Sequence, residues 1–410
     1  MKQHAHAAGT LTAGVVELDL ASEPLRPPET AGAELVYLVL RWKGRPVGRL
    51  VLEGASPPDA ETFRHAVLEA AAAGIFFAEL EARDPEPSLA RLRSSGEATV
   101  SPDAVSVVVA TRNRPDDLAE CLTAIGEMHP APGEIIVADS ASARPDEIAR
   151  IVIELGARLV RLDEPGLSLA RNAAAREVSG SVIAFLDDDC RVDPGWLTAL
   201  CSGFSDDGVG VVAGQLLPRE LHTDAQRLFL RYSHMDRRGF VPHRFHLDAD
   251  ESPHWPLDVW RIGSGGNLAV RAATFERVGG FRRYLGLGTA ARGGEDLFFL
   301  WSVLRAGEAA VYRPDAVAWH RHHERLDALH DVMFGYGAGH AAYLRAVREV
   351  GAGFVAVLGY RASFWADRLL RLGRSVTGLS PVPAGMVVRE MAGSLCGGHL
   401  GRRAERDATP

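Results

Sequence analysis

Three consecutive carboxylates, Asp187, Asp188 and Asp189, follow the apolar run Val182–Leu186. That run has the length and β-branched content of a buried parallel strand. Asp193 and Pro194 come next, a good N-cap and a good first helical residue. The acids therefore fall where a strand ends and a helix has not begun, the edge at which open α/β sheets bind ligands. An extended backbone through the triplet would put Asp187 and Asp189 on one side and Asp188 on the other. Carboxylates converging there need a counter-charge, and a hard divalent cation supplies one. An isolated acidic triplet would be a solvated turn; the strand before it and the capped helix after it favour a site. A second acid pair, Glu295-Asp296, opens a helix behind the glycine-rich stretch 286–294, and His320, His322 and His323 close a strand. Acids in a first helical turn can simply complement the helix dipole, and the histidines can be a surface cluster. A zinc site of the three histidines alone lacks a fourth ligand at a recognised spacing.

Alternating strands and helices must position these groups. Strands are expected over 105–110, 134–138, 158–162 and 182–186, and helices over 115–127, 146–155, 168–178 and 194–204. That order argues for an α/β fold, a mostly parallel sheet covered on both faces. Further on, a strand is expected over 209–217, a helix over 224–237, and an irregular stretch over 243–260, rich in His, Pro, Asp and Trp. Loops of that kind tend to carry function. The glycine-rich segment 262–270 leads into a helix over 272–278 that Gly279-Gly280 ends. A mobile loop over 286–294, a helix to 306 and a strand over 311–320 follow. Ahead of the sheet, residues 1–83 predict a small α+β unit: strands over 15–20, 35–42 and 46–52, a hairpin turn at Lys43-Gly44-Arg45, and a helix opening at Pro58-Asp59. It holds no catalytic cluster, so a structural or partner-binding role is expected. Residues 84–103, rich in Pro, Ser and Gly, predict a linker. The segment 326–410 is expected to be helical to about Arg374, with a disordered tail beyond Arg402. Its apolar residues, Phe354, Val357, Leu358, Phe364, Trp365, Leu369 and Leu370, could pack on the domain, form a dimer or lie on a membrane.

The totals exclude several classes. At 410 residues the chain can bury a large core in two or three units. A net charge of −8 argues against a general nucleic-acid partner, since no excess of cation is present to displace counterions. The four cysteines, Cys121, Cys190, Cys201 and Cys396, show no CxxC spacing, which suits a reducing, cytoplasmic compartment. The first residues lack the apolar core of a signal peptide, and no stretch is apolar for long enough to span a bilayer. Peripheral contact with the inner face of a membrane is compatible with these features.

Seven stretches in order resemble the family 2 glycosyltransferases, which use nucleotide-sugar donors on a GT-A fold. They are VSVVVATRNRPDDLAECL at 106–122, EIIVADSAS at 134–142, GLSLARNAA at 166–174, the DDD strand with its PGWL helix, GSGGNLAVRAATFERVGGF at 263–281, RGGEDLFFLWSVLRAG at 292–307 and AWHRHH at 318–323. The resemblance covers about 104–325. It implies a Rossmann-like, mixed but mostly parallel sheet with helices on both faces, to which the small N-terminal unit and the helical C-terminal segment are added. The QxxRW signature of processive synthases is absent, which favours adding one or few sugars.

The resemblance implies inverting transfer from a nucleoside-diphosphate sugar to an acceptor hydroxyl of a glycan, lipid-linked or small-molecule acceptor. The leaving diphosphate calls for Mn²⁺ or Mg²⁺. Asp189 is the first candidate ligand, Asp187 lies toward the ribose or the metal, and His320 resembles the histidine that completes the metal site in some members. Asp296 matches the family's ED carboxylate, the general base, with Glu295 as fallback. Thr111, Arg114, Asp139, Arg171 and Asp188 would meet the nucleotide sugar. Gly265 and Gly266, with Asn267, would let backbone approach the sugar or acceptor, and Trp255 could stack on an acceptor sugar or pack in the core. Two other classes compete: a non-catalytic nucleotide-sugar-binding scaffold, and a nucleotidyltransferase. VVVATRNRP lacks the glycine-rich, lysine-containing loop expected of the latter, and no GxGxxG follows the first strand of the sheet, against a dinucleotide oxidoreductase.

Overall fold

A computed structural model describes residues 13–21, 25–28, 35–54, 58–82, 100–233, 238–249 and 251–408. Most of the expected 84–103 linker lies outside these. The chain opens with β1 (Ala13–Asp19), β2 (Leu35–Trp42), β3 (Arg45–Glu53) and α1 (Ala60–Ala82). β1 runs parallel to β2, and β2 antiparallel to β3. Lys43 and Gly44 turn that hairpin with φ of 51° and 81°, the two positive values a type I′ turn needs. Phe63, Val67 and Ala71 of α1 are buried against this small sheet at helical spacing.

The main body runs β4 (Val105–Thr111), α2 (Pro115–Gly126), β5 (Glu134–Ser140), α3 (Pro145–Glu154), β6 (Arg158–Leu162), α4 (Leu167–Ala175), β7 (Val182–Asp187), β8 (Cys190–Val192) and α5 (Trp196–Gly203). It continues through β9 (Val209–Pro218), α6 (Asp224–Tyr232), β10 (His243–Phe245), β11 (Asn267–Arg271), α7 (Ala272–Val278), α8 (Glu295–Arg305) and β12 (Ala309–His320). Three helices follow, α9 (Leu326–Glu349), α10 (Phe354–Val376) and α11 (Ala384–Ala408).

Among the described residues the main sheet has nine strands in the order β10-β12-β9-β11-β7-β4-β5-β6, with β8 paired to β12 off this path. β7, β4, β5 and β6 form one parallel block. β11 runs antiparallel between β7 and β9, while β9 and β12 are parallel. Most strands thus share one direction. β4 alternates between two cores: Val108 and Ala110 pack with Ile183 and Phe185, while Val105, Val107 and Val109 pack with Val182, Ala184 and Leu186. That alternation is the period of two of a strand covered on both faces.

Four local expectations change. Asp193 does not cap the helix after the triplet. Its carboxylate pairs with Arg41 of β2, and α5 begins at Trp196, behind Gly195 and without a side-chain cap. The N-terminal unit is also built into the body: Arg45 Nη2 lies 2.6 Å from Glu81 Oε2 and 2.9 Å from Asp315 Oδ2, and Arg313 Nη1 lies 2.9 Å from Glu81 Oε1. Val15, Leu35 and Tyr37 share a core with Leu217, Val317 and Trp319. Beyond Arg402, where disorder is expected, α11 continues to Ala408 with Ala404 in the main core and Glu405 paired with Arg345. Residues 286–294, expected to be mobile, fold as a turn: Gly286 N donates to Gly293 O at 3.3 Å, and Leu167 N donates to Leu287 O at 2.9 Å. All four cysteines are free, Cys121, Cys190 and Cys201 being buried. No helix among the described residues is long and apolar enough to cross a membrane.

Candidate functional site

β7 ends at Asp187, and the backbone turns at Asp188-Asp189 before β8 begins. The strand period therefore stops at Asp187, and the acids do not divide as an extended chain predicts. Asp188 and Asp189 share one guanidinium: Arg114 Nη1 lies 3.1 Å from Asp188 Oδ1 and 2.7 Å from Asp189 Oδ2. Thr111 Oγ1, at the end of β4, donates to Asp188 Oδ2 at 2.7 Å. Burial, and then the charge of Asp189, push the Asp188 carboxyl up to about 7 against the pull of Arg114. Asp187 turns to Arg171 of α4, whose Nη2 lies 2.7 Å away.

Sheet register selects among the histidines. β8 pairs with β12 so that His320 faces Cys190, the neighbour of Asp189. His320 Nε2 consequently lies 3.4 Å from Asp189 Oδ1. His322 is buried with its ring 4.6 Å from that of Phe229, and burial pushes its pKa well down. Burial and then Arg114 lower that of His323. Asp189 and His320 fit a divalent cation as one oxygen and one nitrogen donor: their separation suits two ligands of an ion with bonds of about 2.0–2.2 Å. Buried His320 Nδ1 has no hydrogen-bond partner among the described residues, so the ring is not committed elsewhere. The expected set of Asp187, Asp189 and His320 does not assemble, because Arg171 holds Asp187. Among the described residues no group of three or more His, Cys, Asp and Glu could hold a metal ion. Arg114 supplies the counter-charge in this arrangement.

The second acid pair starts α8. Gly294 precedes it with φ of 85°, and a Cβ there would stand 2.4 Å from Gly339 O of α9, so only glycine fits both demands. Asp296 Oδ2 accepts from Gly265 N at 3.1 Å and Oδ1 from Leu297 N at 2.8 Å. Glu295 is buried, and desolvation, then the neighbouring Asp296, raise its pKa to about 7 despite Arg171. In the folded protein Glu295 therefore keeps a proton that the unfolded chain releases above about pH 4.5. Its contribution makes stability fall as pH rises from about 4.5 through 7. Glu295→Gln removes that slope. The gap in urea midpoint between wild type and variant is expected to shift against wild type from pH 5 to pH 7.5, and a constant gap would show that Glu295 does not titrate there.

Arg171 joins the two acid groups. It is 1% exposed, its Nη1 lies 3.6 Å from Glu295 Oε1, and its guanidinium packs 5.3 Å from the centre of the Phe281 ring. It is neither an exposed helix arginine nor a group open to a nucleotide.

The glycines serve this arrangement. A Cβ on Gly265 would come 2.8 Å from Arg171 Nη1 and 2.9 Å from Asp296 Cβ, and one on Gly266 would come 2.3 Å from Asp187 Oδ2. The close approach expected of a sugar is made by the acids and Arg171 themselves. Asn267 is fully buried, accepting from Trp196 Nε1 at 2.8 Å and donating to Gln215 O at 3.0 Å and Ala316 O at 2.9 Å. It is a packing group. Trp255 also packs, its ring stacked 5.5 Å from Phe245 and its Nε1 donating to His246 O at 2.8 Å. Asp139 is buried at the end of β5 under Arg161, with which it pairs, and accepts from Ser142 N at 3.0 Å.

Two residues escaped notice in the sequence. Arg161 sits opposite Asp139 in the β5–β6 register, and the alternation of RLVRL carries a signal for it. Tyr336 of α9 is 39% exposed with its ring 6.3 Å from Phe229. Desolvation of its hydroxyl, and then the charges of Asp296, Glu390, Asp187 and Asp189, raise its pKa, and it stands on α9, within the segment that the sequence predicts to be helical.

Residues 106–279 match the model described as glycosyl transferase family 2. Curated relatives named pre-mycofactocin glycosyltransferase, from two strains of Mycobacterium tuberculosis, are 27% identical over 162 residues, which is 39% of this chain and 31% of theirs. The chain thus spans less than a third of the length of these relatives. Among solved structures, the mannosyltransferase PcManGT from Pyrobaculum calidifontis, in complex with GDP-Man and Mn²⁺, superposes with a TM-score of 0.50 at 20% identity, covering 80% of this chain and 98% of that one. At that identity the likeness bears on the fold, which is GT-A. Over residues 106–279, then, the chain is similar to glycosyl transferase family 2, on a fold of the GT-A type.

Proposed function

We propose that the protein is a glycosyltransferase that moves a hexosyl or related sugar from a nucleoside-diphosphate sugar to an acceptor hydroxyl, with inversion, metal assistance and without processive polymerisation. The observation that carries this reading is the Asp187–Arg171–Glu295 link, which brings the triplet and the acid pair to one sheet edge. The acceptor oxygen attacks the anomeric carbon, the bond from that carbon to the diphosphate breaks with its electron pair leaving on phosphate, and the hydroxyl proton passes to Asp296. Asp296 suits that role because its carboxylate is partly exposed and is fixed by two backbone donors. Asp189 and His320 would hold Mn²⁺ or Mg²⁺. When bound, the cation supplies Lewis-acid stabilisation of the leaving diphosphate. Thr111 and Arg114 stand at the strand end that a nucleotide would meet, with Arg114 about two-fifths exposed. The free cysteines accord with a cytoplasmic enzyme.

The shared Arg114 bridge favours a second reading, donor binding without a cation by a scaffold. Calorimetry with UDP, GDP and dTDP, with and without Mn²⁺, separates the two. GDP belongs in the set because the Pyrobaculum calidifontis mannosyltransferase of the same fold was solved with GDP-Man. One nucleotide is expected to bind with Mn²⁺, and Asp189→Ala to weaken that binding by about 10²-fold or more, the loss of a charged ligand. Binding that ignores both Mn²⁺ and Asp189→Ala would favour the scaffold.

A further inference from the structure

Helix α10 is apolar on two opposite faces. Its inner face is docked: Val357 and Tyr360 are buried, Phe364 stacks 4.4 Å from His340 of α9, and Arg368 Nη2 lies 2.8 Å from Glu390 Oε1 of α11. The outer face is exposed along its length. Val355, Leu358, Ala362, Leu369 and Val376 recur at intervals of three, four and seven residues and so form one stripe. Val355 is 81% exposed and Val376 72%, and Leu379 just beyond the helix is 79% exposed. By the helical rise the stripe is about 30 Å long. An exposed apolar strip of that extent marks an interaction surface, and it is not needed to hold α10, which the inner face already fixes.

Charge indicates what covers it. Residues 350–380 contain four arginines and one acid, in a chain of net charge −8. That acid, Asp367, is taken by Arg368 and Arg371. Arg361 and Arg374 are exposed and flank the stripe on its two sides. An apolar stripe edged by arginines is the pattern of a helix lying in a lipid interface, with side-chain tips among anionic headgroups. A second copy of the chain fits less well, because a two-fold contact through the stripe would set these arginines against their own images with no carboxylate on that face to pair them.

We propose that the outer face of α10 docks the protein on an anionic lipid surface, the helix lying in the headgroup plane. This goes beyond the transfer reaction and stands or falls independently of it, because the variants below leave the sugar site untouched. The experiment is vesicle flotation of the full-length protein with phosphatidylcholine alone and with phosphatidylcholine containing phosphatidylglycerol, in low and high salt, alongside light scattering for mass. Wild type is expected to float with the anionic vesicles and to be released by salt. Leu358→Asp with Leu369→Asp should abolish flotation. Arg361→Glu with Arg374→Glu should weaken it by about tenfold or more on anionic vesicles. All these side chains are exposed, so the variants should melt with wild type. Failure of wild type to float, flotation indifferent to lipid charge, or a solution dimer broken by the Leu358→Asp, Leu369→Asp variant would each overturn the proposal.

Discussion

Asp296→Asn is expected to lower kcat by about 10²–10⁴-fold while leaving nucleotide affinity within about twofold. The amide matches the carboxylate in size, and its oxygen can still accept from Gly265 N or Leu297 N, the two donors that hold Asp296. What it cannot do is take a proton from an attacking hydroxyl. The competing role for Asp296 is to complement the N-terminus of α8, worth about 0.3–1 kcal/mol of stability. Under that role Asp296→Asn would lower the melting temperature slightly and leave turnover intact. Release of nucleoside diphosphate from the donor, measured with acceptor or with water as nucleophile, separates the two roles. Turnover within tenfold of wild type would remove Asp296 as base and move attention to its buried neighbour Glu295.

The placement of these acids was legible because local pattern determines it. A buried run of five residues ending in carboxylates, and an acid pair behind glycines, put Asp187–Asp189 and Glu295-Asp296 at the ends of β7 and α8. Their partners were not legible, because ion pairs between distant segments leave no trace in local periodicity. Arg114 reaches Asp188 and Asp189 across 74 and 75 residues, and Arg41 reaches Asp193 across 152. The short strand β8 was missed for a related reason: three residues are too few to show a period, and the strand exists because β12 offers it an edge. That pairing is also what sets His320, rather than His322 or His323, beside Asp189. Gly265 and Gly266, with Asn267, are expected from the sequence to let backbone approach a sugar or acceptor. What approaches the two glycines is Arg171, Asp296 and Asp187, and only the fold could supply that.

Arg171→Met should cost about 3–5 kcal/mol of stability and most of the activity together. Methionine fills much of the same volume and keeps contact with the Phe281 ring, so the loss reports charge rather than a cavity. Without the guanidinium, Asp187 and Glu295 face each other across the site with no cation between them. Glu295 then binds its proton more tightly still, and the deficit in stability should be largest above pH 7, where wild-type Glu295 has ionised. Arg171→Lys should recover only part of the loss, since one ammonium cannot reproduce a fork that meets Asp187 through Nη2 and Glu295 through Nη1. The discriminating measurement is a double-mutant cycle in urea. If Arg171 acts by neutralising Glu295, adding Glu295→Gln to Arg171→Met should restore stability relative to the single variant, a coupling of about 1–3 kcal/mol. Restored stability without restored turnover would assign Arg171 a positioning role for the acids of both segments. Additive losses would instead confine it to packing beside Phe281 and would break the link on which the shared edge of the two acid groups rests.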